Sequence, residues 1–119
     1  MSNKNLSIIF TGQGSQYPEM GTDFIEKYEW ARERYSISSD ILGYNVLEAQ
    51  KNKDLLNLTE YSQPMIFIYS SIIIDLVKDN ISKSYENINI AGHSLGEYCS
   101  LYFANALSFE DMLRVVKSR

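Results

Sequence analysis

Ser94 stands in the run Gly92-His93-Ser94-Leu95-Gly96, directly after the short apolar stretch Asn89-Ile90-Ala91 and just before helix-forming sequence. A G-x-S-x-G turn between strand and helix is so tight that a side chain at either glycine would collide with its neighbours. The turn holds Ser94 Oγ clear of the backbone. The helix that starts near Leu95 points unpaired N–H groups and the positive end of its dipole at the same place, which suits an oxyanion forming on an attacked carbonyl. The chemistry implied is acyl chemistry with Ser94 as nucleophile. The same five residues in an arbitrary loop would be a connector with a solvated serine, and it is the strand before and the helix after that favour catalysis.

The elements that must position this serine follow from patterning. Leu6-Ser7-Ile8-Ile9-Phe10-Thr11 is β-branched and aromatic and ends at glycine, so it reads as a buried strand of a parallel sheet. Gly12-Gln13-Gly14-Ser15-Gln16 follows as a loop. Its glycines permit a close backbone approach to another turn, although a phosphate-binding turn or a plain connector would use them equally. Phe24, Ile25, Tyr28, Ala31 and Tyr35 recur at helical spacing and predict one amphipathic helix from Thr22 or Asp23 to about Tyr35. Between residues 36 and 60 the pattern gives only short helical pieces, around 41–42 and 45–50.

From Tyr61 to Asn80 a long helix is expected, with Pro64 in its first turn, Ile66, Phe67, Ile73, Ile74 and Val77 on a broad apolar face, and Asn80 at its end. It should pack against the sheet. Asn87 to Ala91 is the second strand, Leu95 to about Ala106 the helix after the serine, and Ser108 with Asp111 the start of a last helix running to Arg119. The layout is α/β, with parallel strands and crossover helices. Two strands make a marginal sheet, and the last helix has no glycine cap, so the reading is of an incomplete domain spanning residues 1–119.

Composition narrows the function class. At 119 residues, 45% hydrophobic, 22% charged and net charge −4, the chain has the profile of one modest globular domain without a broad basic surface for nucleic acid. The most apolar stretch, 65–77, is interrupted by Ser70, Ser71 and Asp75 and is too short to span a bilayer, so no membrane partner is expected. A single cysteine, Cys99, cannot form an internal disulfide, and residues 1–5 lack a signal-peptide core, which makes the cytoplasm the expected compartment. Cys99 reads as a small packed residue on the helix after the serine.

In order along the chain, Phe10-Thr11-Gly12-Gln13-Gly14-Ser15-Gln16, Met20-Gly21, Gln63-Pro64, Ala91 to Tyr98, and Ala106-Leu107-Ser108 resemble the N-terminal part of the malonyl-CoA:acyl carrier protein transacylases and the acyltransferase domains of polyketide synthases. The resemblance covers essentially the whole chain. It implies the opening portion of an α/β-hydrolase-like large subdomain, with the family's ferredoxin-like small subdomain absent. It also implies that Ser94 takes an acyl group from a coenzyme A thioester and passes it to the phosphopantetheine thiol of an acyl carrier protein, with malonyl-CoA and the carrier as partners and no cofactor. The oxyanion hole would be the backbone N–H groups of Gln13 and Leu95. Arg119 would bind the free carboxylate of a malonyl group, which a planar guanidinium can grip through two N–H···O bonds. Gly12, Gly14, Gly92, Gly96 and His93 would support these residues. Leu95 is compatible with malonyl-selective members.

Two departures stand out. Thr11 occupies a position where the family commonly has proline. The family's general base is a histidine far downstream, whereas the one histidine here, His93, precedes Ser94 and should point away from it, as neighbours across a sharp turn do. Its expected role is to buttress the elbow, and a chain without a base should leave Ser94 a weak nucleophile. Two other functions compete with acyl transfer to a carrier: a serine thioesterase or hydrolase that uses water as acceptor, and a non-catalytic half that binds a complementing chain across an exposed sheet edge.

Overall fold

The computed structural model describes residues 4–10, 14 and 16–118. Strands β1 (Asn5–Phe10) and β2 (Asn87–Gly92) pair in parallel, with Asn5 opposite Asn87 and Phe10 opposite Gly92. Parallel partners cannot be joined by a tight turn. The described chain between them winds through α1 (Thr22–Lys27), α2 (Glu29–Leu42), α3 (Val46–Lys51), α4 (Lys53–Leu56) and α5 (Thr59–Ser84); α6 (Gly96–Phe103) and α7 (Phe109–Ser118) follow β2. The α/β layout and its parallel strands are those expected from the sequence.

Along both strands, half-buried and exposed residues alternate. Leu6, Ile8, Phe10, Ile88 and Ile90 turn toward the core, and Asn5, Ser7, Ile9, Asn87, Asn89 and Ala91 turn outward. This corrects the reading of β1 as a strand buried on both faces: Ile9 is 74% exposed, because the described helices cover one side of the sheet. The covering helix is α6, which lies on both strands, whereas α5 packs chiefly against α6 and α7 rather than on the sheet as its apolar face suggested. The core is the helical layer itself. Met65, Phe67, Ile68 and Ile72 of α5 meet Leu95, Cys99, Met112 and Leu113, all fully buried, and each large apolar side chain so removed from water contributes about 1.5 to 3 kcal/mol.

Helix boundaries differ from the sequence reading in three places. The single helix expected from Thr22 to Tyr35 is two helices, interrupted at Tyr28, whose backbone is extended (φ −125°, ψ 122°). The second runs on to Leu42, where Gly43 closes it at φ 84° with its N–H bonded to the Ser39 carbonyl at 2.9 Å. Second, α5 begins at Thr59, so Pro64 lies in the second turn and leaves the exposed Glu60 carbonyl without its usual donor, and the helix continues past Asn80 to Ser84. Third, α6 stops at Phe103, short of Ala106. Asn105 takes the left-handed conformation (φ 62°), and the N–H groups of Asn105 and Ala106 fold back onto the Tyr102 and Leu101 carbonyls at 3.0 Å each. This pair of bonds is a Schellman closure, which glycine or asparagine can make without the full Cβ penalty. As expected, Ser108 begins α7, its Oγ accepting the Asp111 N–H at 3.2 Å.

Asn105→Ala is therefore expected to destabilise the fold by about 1 to 2 kcal/mol, the left-handed penalty of an ordinary residue, while Asn105→Gly leaves stability level or raises it. Denaturant midpoints of the two variants check the opposite signs.

Candidate active site at the strand-to-helix elbow

At the carboxyl end of β2 the chain reverses into α6 within Gly92-His93-Ser94-Leu95-Gly96. Ser94 sits at φ 56°, a conformation that β-carbon-bearing residues adopt at a cost of about 1 to 2 kcal/mol. Three short bonds hold it there: Gly96 N–H to the His93 carbonyl (3.0 Å), Glu97 N–H to the Ser94 carbonyl (3.0 Å) and Tyr98 N–H to the Leu95 carbonyl (2.9 Å). They use the N–H groups of residues 96–98. Leu95 is anchored by a side chain fully buried in the core.

Both glycines of the motif are required by close approach rather than by φ. A β-carbon on Gly96 would overlap the carbonyl oxygen of Phe10 at the end of β1, and one on Gly92 would overlap the backbone of Gly96 and Glu97. The elbow is thus pressed against the end of the neighbouring strand. The His93 N–H donates to the same Phe10 carbonyl at 3.1 Å. His93 thus engages the end of β1 through its backbone, with its side chain exposed.

Of the loop after β1, Gly14 and Gln16 are described, while Gly12, Gln13 and Thr11 lie outside the described residues, as does Arg119. Gly14 has φ 110° and its N–H donates to Gln16 Oε1 at 2.7 Å; Gln16 Nε2 in turn donates to the Leu56 carbonyl at 3.3 Å. Downstream, Gln50 Nε2 donates to the carbonyls of Pro18 and Met20, at 3.1 and 2.7 Å, and Tyr35 lies beneath Gly21 with its hydroxyl on the Met20 carbonyl at 3.4 Å. Gln50 is 1% exposed. Nothing in the sequence marked this glutamine, because it lies in the stretch without clear periodicity.

Cys99, one turn into α6, is fully buried, and burial pushes its thiol up to about 11. A protonated, inaccessible thiol is no second nucleophile near neutral pH. Burial also raises the hydroxyls of Tyr44 and Tyr102 to about 12. Among the described residues no group of three or more His, Cys, Asp and Glu side chains could hold a metal ion, and no helix is long and apolar enough to cross a membrane.

Gly96→Ala, forced onto the Phe10 carbonyl, is expected to lower stability by about 2 to 3 kcal/mol, whereas Gly14→Ala, with open space but φ 110°, should cost about 1 kcal/mol; paired denaturant titrations read the difference. Between about pH 9 and 12 the folded chain keeps protons on Cys99, Tyr44 and Tyr102 that the unfolded chain has released. The native state binds more protons there, so stability should fall as pH rises through that window, and Cys99 should resist alkylation at pH 8 until denaturant is added.

Residues 8–119 match the acyl transferase domain family. The malonyl CoA-acyl carrier protein transacylase of Synechocystis is 39% identical over 112 residues, which are 93% of this chain and 37% of that protein. The crystal structure of the malonyl-CoA:acyl carrier protein transacylase from Helicobacter pylori superposes with a TM-score of 0.86 at 30% identity, covering 99% of this chain and 38% of that one. A malonyl-transacylase in complex with its type II polyketide acyl carrier protein gives 0.83 at 30% identity, over 97% and 37%. The chain therefore spans somewhat over a third of the length of the relatives it matches, and, with a strained serine between two close-packed glycines at the end of a parallel strand, it belongs to the acyl transferase domain family.

Proposed function

We propose that this chain is the nucleophile-bearing part of an enzyme that moves a malonyl group from coenzyme A to the phosphopantetheine thiol of an acyl carrier protein through an acyl-enzyme on Ser94. The observation that carries the reading is the left-handed Ser94 in an elbow that only glycine at 92 and 96 permits. In the reaction, Ser94 Oγ attacks the thioester carbonyl and the oxyanion accepts N–H bonds from Leu95 and Gln13. Coenzyme A leaves as the thiol, carrying the proton that Ser94 gave up through the general base. The carrier's thiol then attacks the carbonyl of the malonyl ester by the reverse route, so that the malonyl group passes to its sulfur and Ser94 Oγ leaves and regains a proton. Arg119 pairs with the free carboxylate, and no cofactor takes part. The names of the relatives, malonyl-CoA transacylases that act with acyl carrier protein, support the choice of substrate and acceptor.

In this reading the described residues belong to an α/β-hydrolase-like large subdomain. The 119 residues include one histidine, His93. On this reading His93, the immediate neighbour of Ser94 across the turn, does not take the Ser94 proton, so the general base comes from outside them and the segment alone turns over poorly. One observation also favours association with further polypeptide: Ile9 and Ala91, paired on the outer face of the sheet, are open to solvent.

The test uses this sequence in a protein of its relatives' full length. Incubation with malonyl-CoA should add one malonyl group to Ser94, seen by mass spectrometry, and Ser94→Ala should lower transfer by about 10³-fold or more. Absence of the adduct together with unchanged transfer in Ser94→Ala would overturn the proposal, and rapid thioester hydrolysis without carrier would point to a hydrolase instead.

A further inference from the structure

A cavity of about 300 Å³ is lined by residues that the elbow does not use. Three rings, Tyr17, Phe24 and Tyr69, and two acidic residues, Glu19 and Asp23, form its walls, and among the described residues that line it none is basic. Tyr69 of α5 lies 6.1 Å from Tyr17 at 79° and 5.7 Å from Phe24 at 37°. Neither pair stacks in parallel, and rings set at such angles form walls rather than a closed sandwich. The Tyr17 hydroxyl donates to that of Tyr69 at 3.1 Å, which fixes the two rings relative to each other. The Tyr69 hydroxyl is pushed up to about 12, first by its bond with Tyr17, then by burial and by the charges of Tyr17 and Asp23, so the field of a carboxylate reaches the rings.

The wall that carries Tyr17 and Glu19 is firmly held. Its turn is closed by the Met20 N–H on the Tyr17 carbonyl and the Thr22 N–H on the Glu19 carbonyl, at 3.1 Å each. Gln50 grips the Pro18 and Met20 carbonyls from below, the Met20 side chain is buried, and Tyr35 packs so close to Gly21 (φ 87°) that no β-carbon fits there. A wall fixed in this way need not be ordered when a ligand arrives, which removes one cost of binding.

The lining selects the ligand's charge. Aromatic faces carry the negative part of the ring quadrupole and attract cations, and Glu19 and Asp23 add a field of the same sign. An anion is repelled, and a neutral apolar molecule gains nothing from the carboxylates. A hard divalent metal ion needs more oxygen ligands than two side chains give, and no group of three or more metal-binding side chains exists among the described residues. An organic cation with a diffuse charge satisfies both parts of the wall, its methyl groups meeting rings and its charge meeting carboxylates.

We infer that the Tyr17, Phe24 and Tyr69 cavity is a binding site for a small quaternary ammonium solute, with Glu19 and Asp23 supplying the opposing charge. The site shares no residue with the elbow and stands or falls apart from the reading of Ser94.

The experiment titrates the protein of full family length with tetramethylammonium and with choline at constant ionic strength, reading saturation transfer to the ligand methyl protons. The neutral alcohol in which carbon replaces the choline nitrogen is the control. Both cations should saturate at millimolar concentrations, and the neutral alcohol should bind at least about fivefold more weakly. Tyr69→Leu and Tyr17→Ala should each weaken choline binding by about two- to fivefold, the worth of one ring, and Asp23→Asn by about twofold. Tyr17→Phe keeps the ring and should bind choline as the parent does. If Tyr69→Leu does not fold, Tyr17→Ala carries the same test, since Tyr17 is 43% exposed. Lack of saturable binding by either cation, equal binding of the neutral alcohol, or unchanged affinity in Tyr17→Ala would overturn the inference.

Discussion

The carbonyl of Phe10 is the contact on which the arrangement turns. It ends β1, accepts the His93 N–H, and lies so near Gly96 that no β-carbon fits between them. That one oxygen fixes how far β2 extends beside β1, where the chain must reverse, and where α6 can begin. The left-handed state of Ser94 follows, because the reversal has to be completed before α6 starts at Gly96. The strain at the serine is held by these surrounding contacts and is already present before any substrate arrives.

The second level is helical. α6 covers the sheet, α5 and α7 cover α6, and Arg34 draws in α2 through its ion pair with Asp75 of α5. Ser94 is thus carried by a helix gripped at both ends: by strand backbone at its start and by the bond of Tyr102 to Asp75 and a Schellman closure near its finish. Residues 16 to 20 are secured separately, by Gln16 on Leu56 and by Gln50 on Pro18 and Met20.

What could be read in the sequence was local. The elbow glycines announce themselves because only glycine fits, and the strands because short apolar, β-branched runs end at glycine. Ser108 could be identified as a cap because its bond spans three residues. The break at Tyr28 was hidden, since Phe24, Tyr28, Ala31 and Tyr35 keep helical spacing on both sides of it. Pro64 was misplaced by a rule of preference that an exposed Glu60 carbonyl does not enforce. Ile9 read as buried because hydrophobicity records what a residue tolerates, not what covers it. Gln50 and Arg34 gave no signal at all, their hydrogen-bond partners lying 30 or more positions away.

The outward side of the sheet descends in polarity from one end to the other, through Asn5 with Asn87, Ser7 with Asn89, and Ile9 with Ala91. The Asn87 amide donates to the Asn5 side chain at 2.9 Å, tying the first rung together. Amide and hydroxyl groups along most of this side hydrogen-bond with water, so an apolar surface laid across it would gain burial at the Ile9–Ala91 rung and desolvate polar groups elsewhere. The greasy rung is confined to the last pair, so the apolar surface this side offers to a neighbour is a single aliphatic step beside the elbow.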